Sequence, residues 1–316
     1  MALQQGLEQA RAQPAGRVRL SKMARREERE FYLFISLWII GFVLFDAGPI
    51  FTSLGISFTD WSVLTSPKWI GTANYQRMFA DPLFYKALWN SIYFGVASVG
   101  LGVIVSFLLA LLLNQKVHGM AFFRTVFYLP SVVSGIAVAI LWIMILHKDF
   151  GLLNTALGWV GIKGPGWLVQ PQWAMPALIL MSLWQGAGGA MVIYLAGLQS
   201  VPQHLYEAAE IDGAGPWGKF WNVTVPMMSP VLFYNLIVGF IASIQNFVLV
   251  LVMTDGTPAN ATLVYGLYLY RNAFKFFQMG YASALAWVLL VVIMLFTAAQ
   301  FFLSKYWVFY EGDLKR

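Results

Sequence analysis

Six long runs of apolar residues dominate this chain, and their length limits the folds that it can adopt. They lie at about residues 31–51, 88–113, 125–146, 174–198, 230–253 and 281–303. A run of about 20 apolar residues is long enough to cross a bilayer as a helix. Only 11% of the 316 residues are charged, whereas a soluble domain carries about 25%. The runs therefore predict an all-α polytopic membrane protein with about six transmembrane helices.

Basic residues are concentrated at the start of the chain, and this predicts the orientation of the protein. Seven of the 20 Lys and Arg residues lie in positions 1–30. Because cytoplasmic segments beside membrane spans are rich in Lys and Arg, we expect positions 1–30 to form a cytoplasmic tail rather than an arm that binds nucleic acid. Six spans would place a short tail at 306–316 on the same side, with 31–305 as the transmembrane domain. Aromatic residues at the ends of runs, such as Trp173 and Tyr306, predict contact with lipid headgroups.

The composition argues against chemistry by the chain itself. There is no Cys, which excludes disulfides, thiol catalysis and thiolate-bound metal. The three His residues, His118, His147 and His204, are too far apart in sequence to resemble a set of metal ligands. We therefore expect no metal site and no catalytic residues.

Polar residues in the fourth and fifth runs fall on single helical faces, as expected of helices that line a pathway. Hydroxyls and amides both donate and accept hydrogen bonds, which suits a solute rich in hydroxyl groups. Hydrogen bonding between helices is the alternative role. In addition, the small pair Gly186 and Ala190 predicts close helix packing. The candidates for the substrate path are Ser182, Gln185, Gly186, Gly189, Gln245 and Asn246.

A polar segment at about residues 199–229 separates the fourth and fifth runs. Its first half predicts a short amphipathic helix that ends at Gly213, because glycine tolerates the left-handed backbone common after a helix. Gly215 and Pro216 then predict a second helix, since proline suits the first helical position. We expect two short helices with a bend, projecting from the cytoplasmic face and suited to a groove on a partner.

The order of residues in this segment is similar to a known signature. Glu-Ala-Ala at 207–209 is followed after three residues by Gly213, and after nine more by Val-Thr-Val-Pro at 223–226. This resembles the coupling-loop signature of the membrane subunits of ABC importers, Glu-Ala-Ala-x3-Gly-x9-Ile-x-Leu-Pro, with Val at both aliphatic positions. The resemblance implies that the segment couples ATP hydrolysis on a partner to the membrane spans. The residues expected to contact the ATPase or shape the loop are Glu207, Ala208, Ala209, Glu210, Asp212, Gly213 and Pro226.

The resemblance extends over nearly the whole chain. Residues 48–61, GPIFTSLGISFTDW, and the segment WIGTANYQRMFADPLFYKALWNSIYF at 69–94 are similar to permeases of carbohydrate-uptake ABC importers, the group that handles maltose-like sugars and glycerol-phosphate. This implies a bacterial inner-membrane subunit that works by alternating access. Its implied partners are a second homologous permease, an ABC ATPase dimer that carries the ATP and magnesium, and an extracytoplasmic solute-binding protein. The family's solute contacts come from the fourth and fifth spans, with Ser182 and Asn246 at positions similar to contact residues.

Three other interpretations fit the sequence less well. Gly213 to Lys219 matches the first seven positions of a nucleotide-binding P-loop, but Phe220 stands where Ser or Thr would bind magnesium. An ion-coupled secondary transporter would need intramembrane carboxylates near the midplane and an internal repeat, and only Asp46 is a candidate. A membrane enzyme would need clustered His, Asp or Glu, and the nearest carboxylates, at 207–212, have no His beside them.

Overall fold

The computed structural model describes residues 22–115 and 117–309, so most of both predicted tails lies outside the described residues. The chain divides into two compact units between Gly55 and Ile56. The first unit holds most of helix α1, Lys22–Ser57, which is long and apolar enough to cross a membrane. Asp46 lies on a π-helical turn of this helix at Val43–Ala47. Helix α1 covers the predicted first run and begins earlier, inside the segment predicted as a tail.

The second unit is built almost entirely of helices, and the all-α prediction is confirmed. Its two short strands pair antiparallel and hold a hairpin ahead of the second span. In chain order the elements are β1 Thr59–Asp60, β2 Lys68–Trp69, α2 Ala73–Ala80, α3 Pro82–Leu113, α4 Met120–Val132, α5 Gly135–Ile145, α6 Leu152–Trp159, α7 Pro171–Ser200, α8 Gln203–Ile211, α9 Pro216–Gln245, α10 Val248–Met253, α11 Tyr265–Tyr270 and α12 Met279–Ser304.

Within the described ranges, five helices are long and apolar enough to span a membrane, namely α1, α3, α7, α9 and α12. The predicted second, fourth and sixth runs correspond to α3, α7 and α12, each of which extends beyond its run. Proline at the first turn of α3 and of α7 suits a helix start, because the missing N–H there would have no partner within the helix.

The third predicted run, 125–146, is not one straight helix. It is divided into α4 and α5, which are bent by 98° relative to each other, so the pair makes a sixth span only if it is counted as one. The chain is extended at Val133 and Ser134, with ψ values of 141° and 130°. The Gln185 amide of α7 donates to the Val133 carbonyl at 3.4 Å. This bond satisfies a backbone group that the break removes from the helix.

The fifth predicted run, 230–253, was wrong at both ends. Helix α9 begins at Pro216, inside the polar segment, and ends at Gln245. Asn246 then takes an extended conformation, and the remaining apolar residues form the separate short helix α10. A continuous apolar run does not reveal such a break, because hydropathy is the same on both sides of it.

Within the second unit, a buried core draws residues from α2, α3, α5, α7, α10, α11 and α12. A second buried cluster joins the later halves of α3 and α7 to the start of α9 through Phe107, Tyr194 and Met228. Of the predicted packing pair, Ala190 packs against this second cluster, whereas Gly186 faces an open cavity with no atom within 4 Å of an added Cβ. The close contact belongs to Gly188, where an added Cβ would lie 2.0 Å from the Phe127 carbonyl oxygen.

Helix α3 also holds the loop that follows α10. The Asn90 amide donates to the carbonyls of Asn260 and Leu263, at 3.1 and 3.0 Å. One turn earlier, the Lys86 ammonium donates to the Ala259 carbonyl at 2.7 Å. The loop is therefore fixed by side chains of α3 rather than by a backbone ladder.

Replacing Asn90 with Ala should destabilise the protein, because the carbonyls of Asn260 and Leu263 lose their bonds from the Asn90 amide, and the Asn260 carbonyl keeps the longer bond of 3.3 Å from the Leu263 N–H. The expected cost is about 1–3 kcal/mol, measured as a lower melting temperature of the purified chain in detergent. Asn222→Ala is the matched control, since its exposed amide bonds only to Gly218 of its own helix. Equal melting temperatures for the two variants would contradict this role of Asn90.

Candidate functional site: a surface helix and a cavity

Helix α8 follows α7 directly and ends as the sequence predicts. Gly213 has a φ of +82°, the left-handed conformation that glycine adopts without steric cost. The Gly213 N–H donates to the Glu210 carbonyl at 3.0 Å, and the Ala214 N–H donates to the Ala209 carbonyl at 2.8 Å. These two bonds form a Schellman motif, which satisfies the last carbonyls of the helix. The structure thus confirms the predicted helix and its glycine stop.

The second short helix of the prediction is not a separate element. Pro216 starts it as expected, but it continues as α9 through a π-helical turn at Phe220–Thr224. The Val225 N–H reaches back to the Phe220 carbonyl in this turn. Pro226, which has no N–H, follows directly. The π-helical turn therefore sits where proline removes a normal helical bond.

Two side-chain contacts tie α8 to the base of α9. The Lys219 ammonium lies 2.6 Å from a Glu210 carboxylate oxygen, and the hydroxyls of Tyr206 and Thr224 are 3.1 Å apart. The hydrogen bond from Lys219 and its positive charge hold the pKa of Glu210 below its usual value of 4.5. Glu210 is therefore a carboxylate at neutral pH. Tyr206 and Lys219 were not among the predicted site residues, because neither belongs to the signature.

The outer face of α8 is polar except for one large apolar side chain. Glu207 and Ala208 are exposed on it, whereas Ala209 is half-buried. Ile211 is 86% exposed. Sequence analysis did not select Ile211, because an apolar residue in an amphipathic helix normally marks the buried face. An apolar residue on an otherwise polar, protruding helix is typical of a surface that contacts another protein.

A cavity of about 350 Å³ lies between α3, α7 and α9. This volume is near the lower end of the range for small-molecule sites. None of the residues that line it is charged. Its polar groups are hydroxyls and side-chain amides, which can bind a neutral hydroxylated molecule. The polar residues on its wall are Ser98, Ser106, Ser182, Tyr194, Asn235, Ser243 and Asn246.

The structure brings together three of the six predicted substrate-path residues. Ser182, Gly186 and Asn246 line the cavity. Gln185 lies off its wall and bonds to the Val133 carbonyl. Gly189 lies against Ser131 of α4, whose Cβ would be 3.7 Å from an added Cβ. The third residue outside the wall is Gln245, which is exposed.

Helix α3 contributes to the cavity, and sequence analysis assigned it no part there. Ser98, Gly102 and Ser106 follow one another at four-residue intervals and line the wall. The four-residue spacing was available as a signal, but α3 is apolar on all sides, so the sequence did not indicate which face meets the cavity.

Comparison with known proteins identifies a family and several relatives that this chain resembles. The family of binding-protein-dependent transport system inner membrane components matches residues 102–307. The probable ABC transporter permease protein YesP of Bacillus subtilis (strain 168) is 40% identical over 303 residues, which cover 94% of this chain and 97% of the relative. The lactose transport system permease protein LacF of Rhizobium radiobacter is 35% identical over 292 residues, covering 90% and 97%.

A solved structure has the same fold. A chain of a bacterial alginate ABC transporter, crystallised with its alginate pentasaccharide-bound periplasmic protein, superposes with a TM-score of 0.78 at 25% identity. The match covers 90% of this chain and 97% of the other. The family resemblance found in the sequence is thereby confirmed. The chain belongs to the family of binding-protein-dependent transport system inner membrane components, the permease subunits of ABC transporters.

Proposed function

We propose that the chain is the permease subunit of an ABC importer for a sugar or a related neutral, hydroxylated solute. The observation that carries the proposal is the course of α9. This helix begins at the surface loop, where Lys219 pairs with Glu210, and its other end lines the cavity through Asn235 and Ala242. Its 30 residues span about 45 Å. One continuous helix thus joins a protein-binding surface to a solute-sized cavity.

The chemistry of the cavity supports the choice of solute. Hydroxyls and amides line it, and no charged side chain is present to neutralise a phosphate or a carboxylate. Two relatives bear names that specify sugar transport, the lactose permease LacF and the multiple sugar-binding transport system permease protein MsmF of Streptococcus mutans. A sugar is therefore favoured over glycerol-phosphate as the solute.

We propose the following division of labour among the subunits. ATP and magnesium bind to an ABC ATPase dimer that contacts α8 through Glu207, Ala208 and Ile211. A second homologous permease completes the pathway, and an extracytoplasmic binding protein delivers the sugar. The chain catalyses no reaction. It lies in the bacterial inner membrane with both termini cytoplasmic and alternates between two conformations whose balance the ATPases change.

The test is affinity purification of the tagged chain from native membranes in mild detergent, with mass spectrometry of the proteins that accompany it. An ABC ATPase and a second permease should co-purify, and the complex in proteoliposomes should show ATP-driven sugar uptake with the binding protein present. A functional chain recovered repeatedly alone would favour the ion-coupled secondary transporter instead. Uptake driven by a proton or sodium gradient without ATP would do the same.

Replacing Asn246 with Ala should raise the KM of sugar uptake about tenfold, because the cavity loses an amide that can both donate and accept. Binding-protein-stimulated ATPase activity is the second readout. Gln245→Ala is the matched control, since Gln245 is the neighbouring amide and is exposed outside the cavity wall. Unchanged uptake and ATPase activity in Asn246→Ala would remove Asn246 from the solute path.

A further inference from the structure

Two buried hydroxyls at one end of the cavity have no hydrogen-bond partner among the described residues. They are Oγ of Ser106 on α3 and the phenolic oxygen of Tyr194 on α7. Ser106 is 1% exposed and Tyr194 is fully buried. Buried hydroxyls nearly always have a partner, and leaving one without costs about 1–3 kcal/mol. Both residues belong to the cavity wall, and because their hydroxyl oxygens have almost no accessible surface in this conformation, a partner reaches them only when the surrounding helices move.

These residues lie at the end of the cavity nearest the coupling loop. The ring of Phe107, next to Ser106, packs edge-on against the Tyr194 ring with centroids 5.8 Å apart, so the two hydroxyls belong to the same level of the bundle. The same Phe107 ring lies 6.3 Å from Phe220, which is in the π-helical turn at the base of α9. Along the axis of α7, the Cα of Tyr194 is about 18 Å from the Cα of Ser182. A single sugar ring cannot contact both ends at once.

We propose that Ser106 and Tyr194 form a second, inner binding station, which holds hydroxyl groups of the sugar after it leaves Ser182 and Asn246. This inference rests on the proposed function and adds a site to it. A solute that loses its hydrogen bonds at the outer end needs new partners before it reaches the cytoplasm. Two hydroxyls without competing protein partners supply them, since a hydroxyl both donates and accepts hydrogen bonds. Phe107 and Phe220 place this station directly beside the segment that the ATPases move.

The first test uses the absence of Cys from the chain. Ser106→Cys and Tyr194→Cys are each introduced into the whole complex and treated with a small charged methanethiosulfonate, with and without ATP–vanadate trapping. Asn246→Cys is the reference for a cavity position, and Tyr234→Cys is the control for an exposed position off the wall. Both inner cysteines should react in at least one state, at a rate within about tenfold of the rate for Asn246→Cys. No reaction in either state would overturn the inner station.

The second test removes single oxygen atoms. Tyr194→Phe and Ser106→Ala should each lower the maximal rate of ATP-driven ¹⁴C-lactose uptake about fivefold to tenfold, with KM unchanged because the outer station is intact. The melting temperature should stay equal or rise, since an unpaired buried hydroxyl is removed. Tyr234→Phe should change neither the maximal rate of uptake nor the melting temperature. Reactive cysteines together with unchanged uptake would mean that the hydroxyls bind water only, and would overturn the proposal.

Failure of the proposed function gives a different pattern. A wild-type complex that assembles without any ATP-driven lactose uptake argues against lactose as the sugar, while the cysteine reactions still decide whether Ser106 and Tyr194 face the pathway. A chain that assembles with no ATPase refutes the importer whatever the labelling.

Discussion

Ile211→Asp is expected to lower ATP-driven uptake strongly while leaving the chain folded. Ile211 is 86% exposed on α8, so it contributes little to the core of its own chain. A carboxylate at the centre of a protein contact would lose its hydration without gaining a partner. A central contact residue is worth about 2 kcal/mol, so the affinity for the ATPase should fall roughly 30-fold. The measurement is the amount of ATPase that co-purifies with the tagged chain.

The control is Leu64→Asp in the hairpin between β1 and β2. Leu64 is also 86% exposed, but it lies ahead of α3, away from the loop that joins α7 to α9. This variant should retain its ATPase even if delivery of sugar from the binding protein suffers. Equal retention of the ATPase by both variants, with uptake intact in Ile211→Asp, would show that α8 does not dock the ATPase through this residue.

Gly188→Ala is expected to produce the largest loss of stability of any glycine-to-alanine change in α7. The new Cβ would lie 2.0 Å from the carbonyl oxygen of Phe127 and 2.8 Å from the Cα of Tyr128. Both obstacles are backbone atoms of α4, so no side-chain rotation relieves the overlap. Overpacking costs about 1–3 kcal/mol and sometimes more, and we expect at least about 3 kcal/mol here.

Gly186→Ala separates this clash from the intrinsic effect of the substitution. Both glycines lie inside the same helix, so both gain about 1 kcal/mol of helix propensity when alanine replaces them. No atom lies within 4 Å of a Cβ at Gly186. We therefore expect Gly186→Ala to melt at or above the temperature of the unmodified chain, and Gly188→Ala to melt well below it. Similar melting temperatures would mean that α4 can shift to accept the methyl group.

The comparison of these two glycines shows where sequence analysis reached its limit. In the stretch Gln-Gly-Ala-Gly-Gly-Ala at 185–190, composition indicates close packing but does not give the rotation of the helix about its axis. The rotation is set by the neighbours α3 and α4, and it places Gly186 in the cavity and Gly188 against a backbone. Ser106 and Ser98 were missed for the same reason, since α3 is apolar all round.

Local signals were more successful where backbone chemistry decides the structure. The stop at Gly213 and the start at Pro216 follow from properties of those residues alone, and both are observed. The division between α4 and α5 had weaker signals, a proline at Pro130 and the pair Ser134 and Gly135, in a run whose hydropathy stays high throughout. Tertiary contacts such as the hydrogen bond from Gln185 stabilise that bend, and the sequence of α4 and α5 alone does not reveal them.

The π-helical turn at Phe220–Thr224 has a mechanical consequence for the long helix that it interrupts. An α-helix resists bending through its regular ladder of hydrogen bonds, and a wide turn followed by Pro226 lowers that resistance locally. Helix α9 therefore has a flexible point near its start, at the π-helical turn. Two side-chain contacts join α8 to this part of α9. The contact at Lys219 lies just before the π-helical turn, and the contact at Thr224 lies at the end of the turn. A force applied to α8 would therefore tilt α9, and the π-helical turn would bend to accommodate the change of angle.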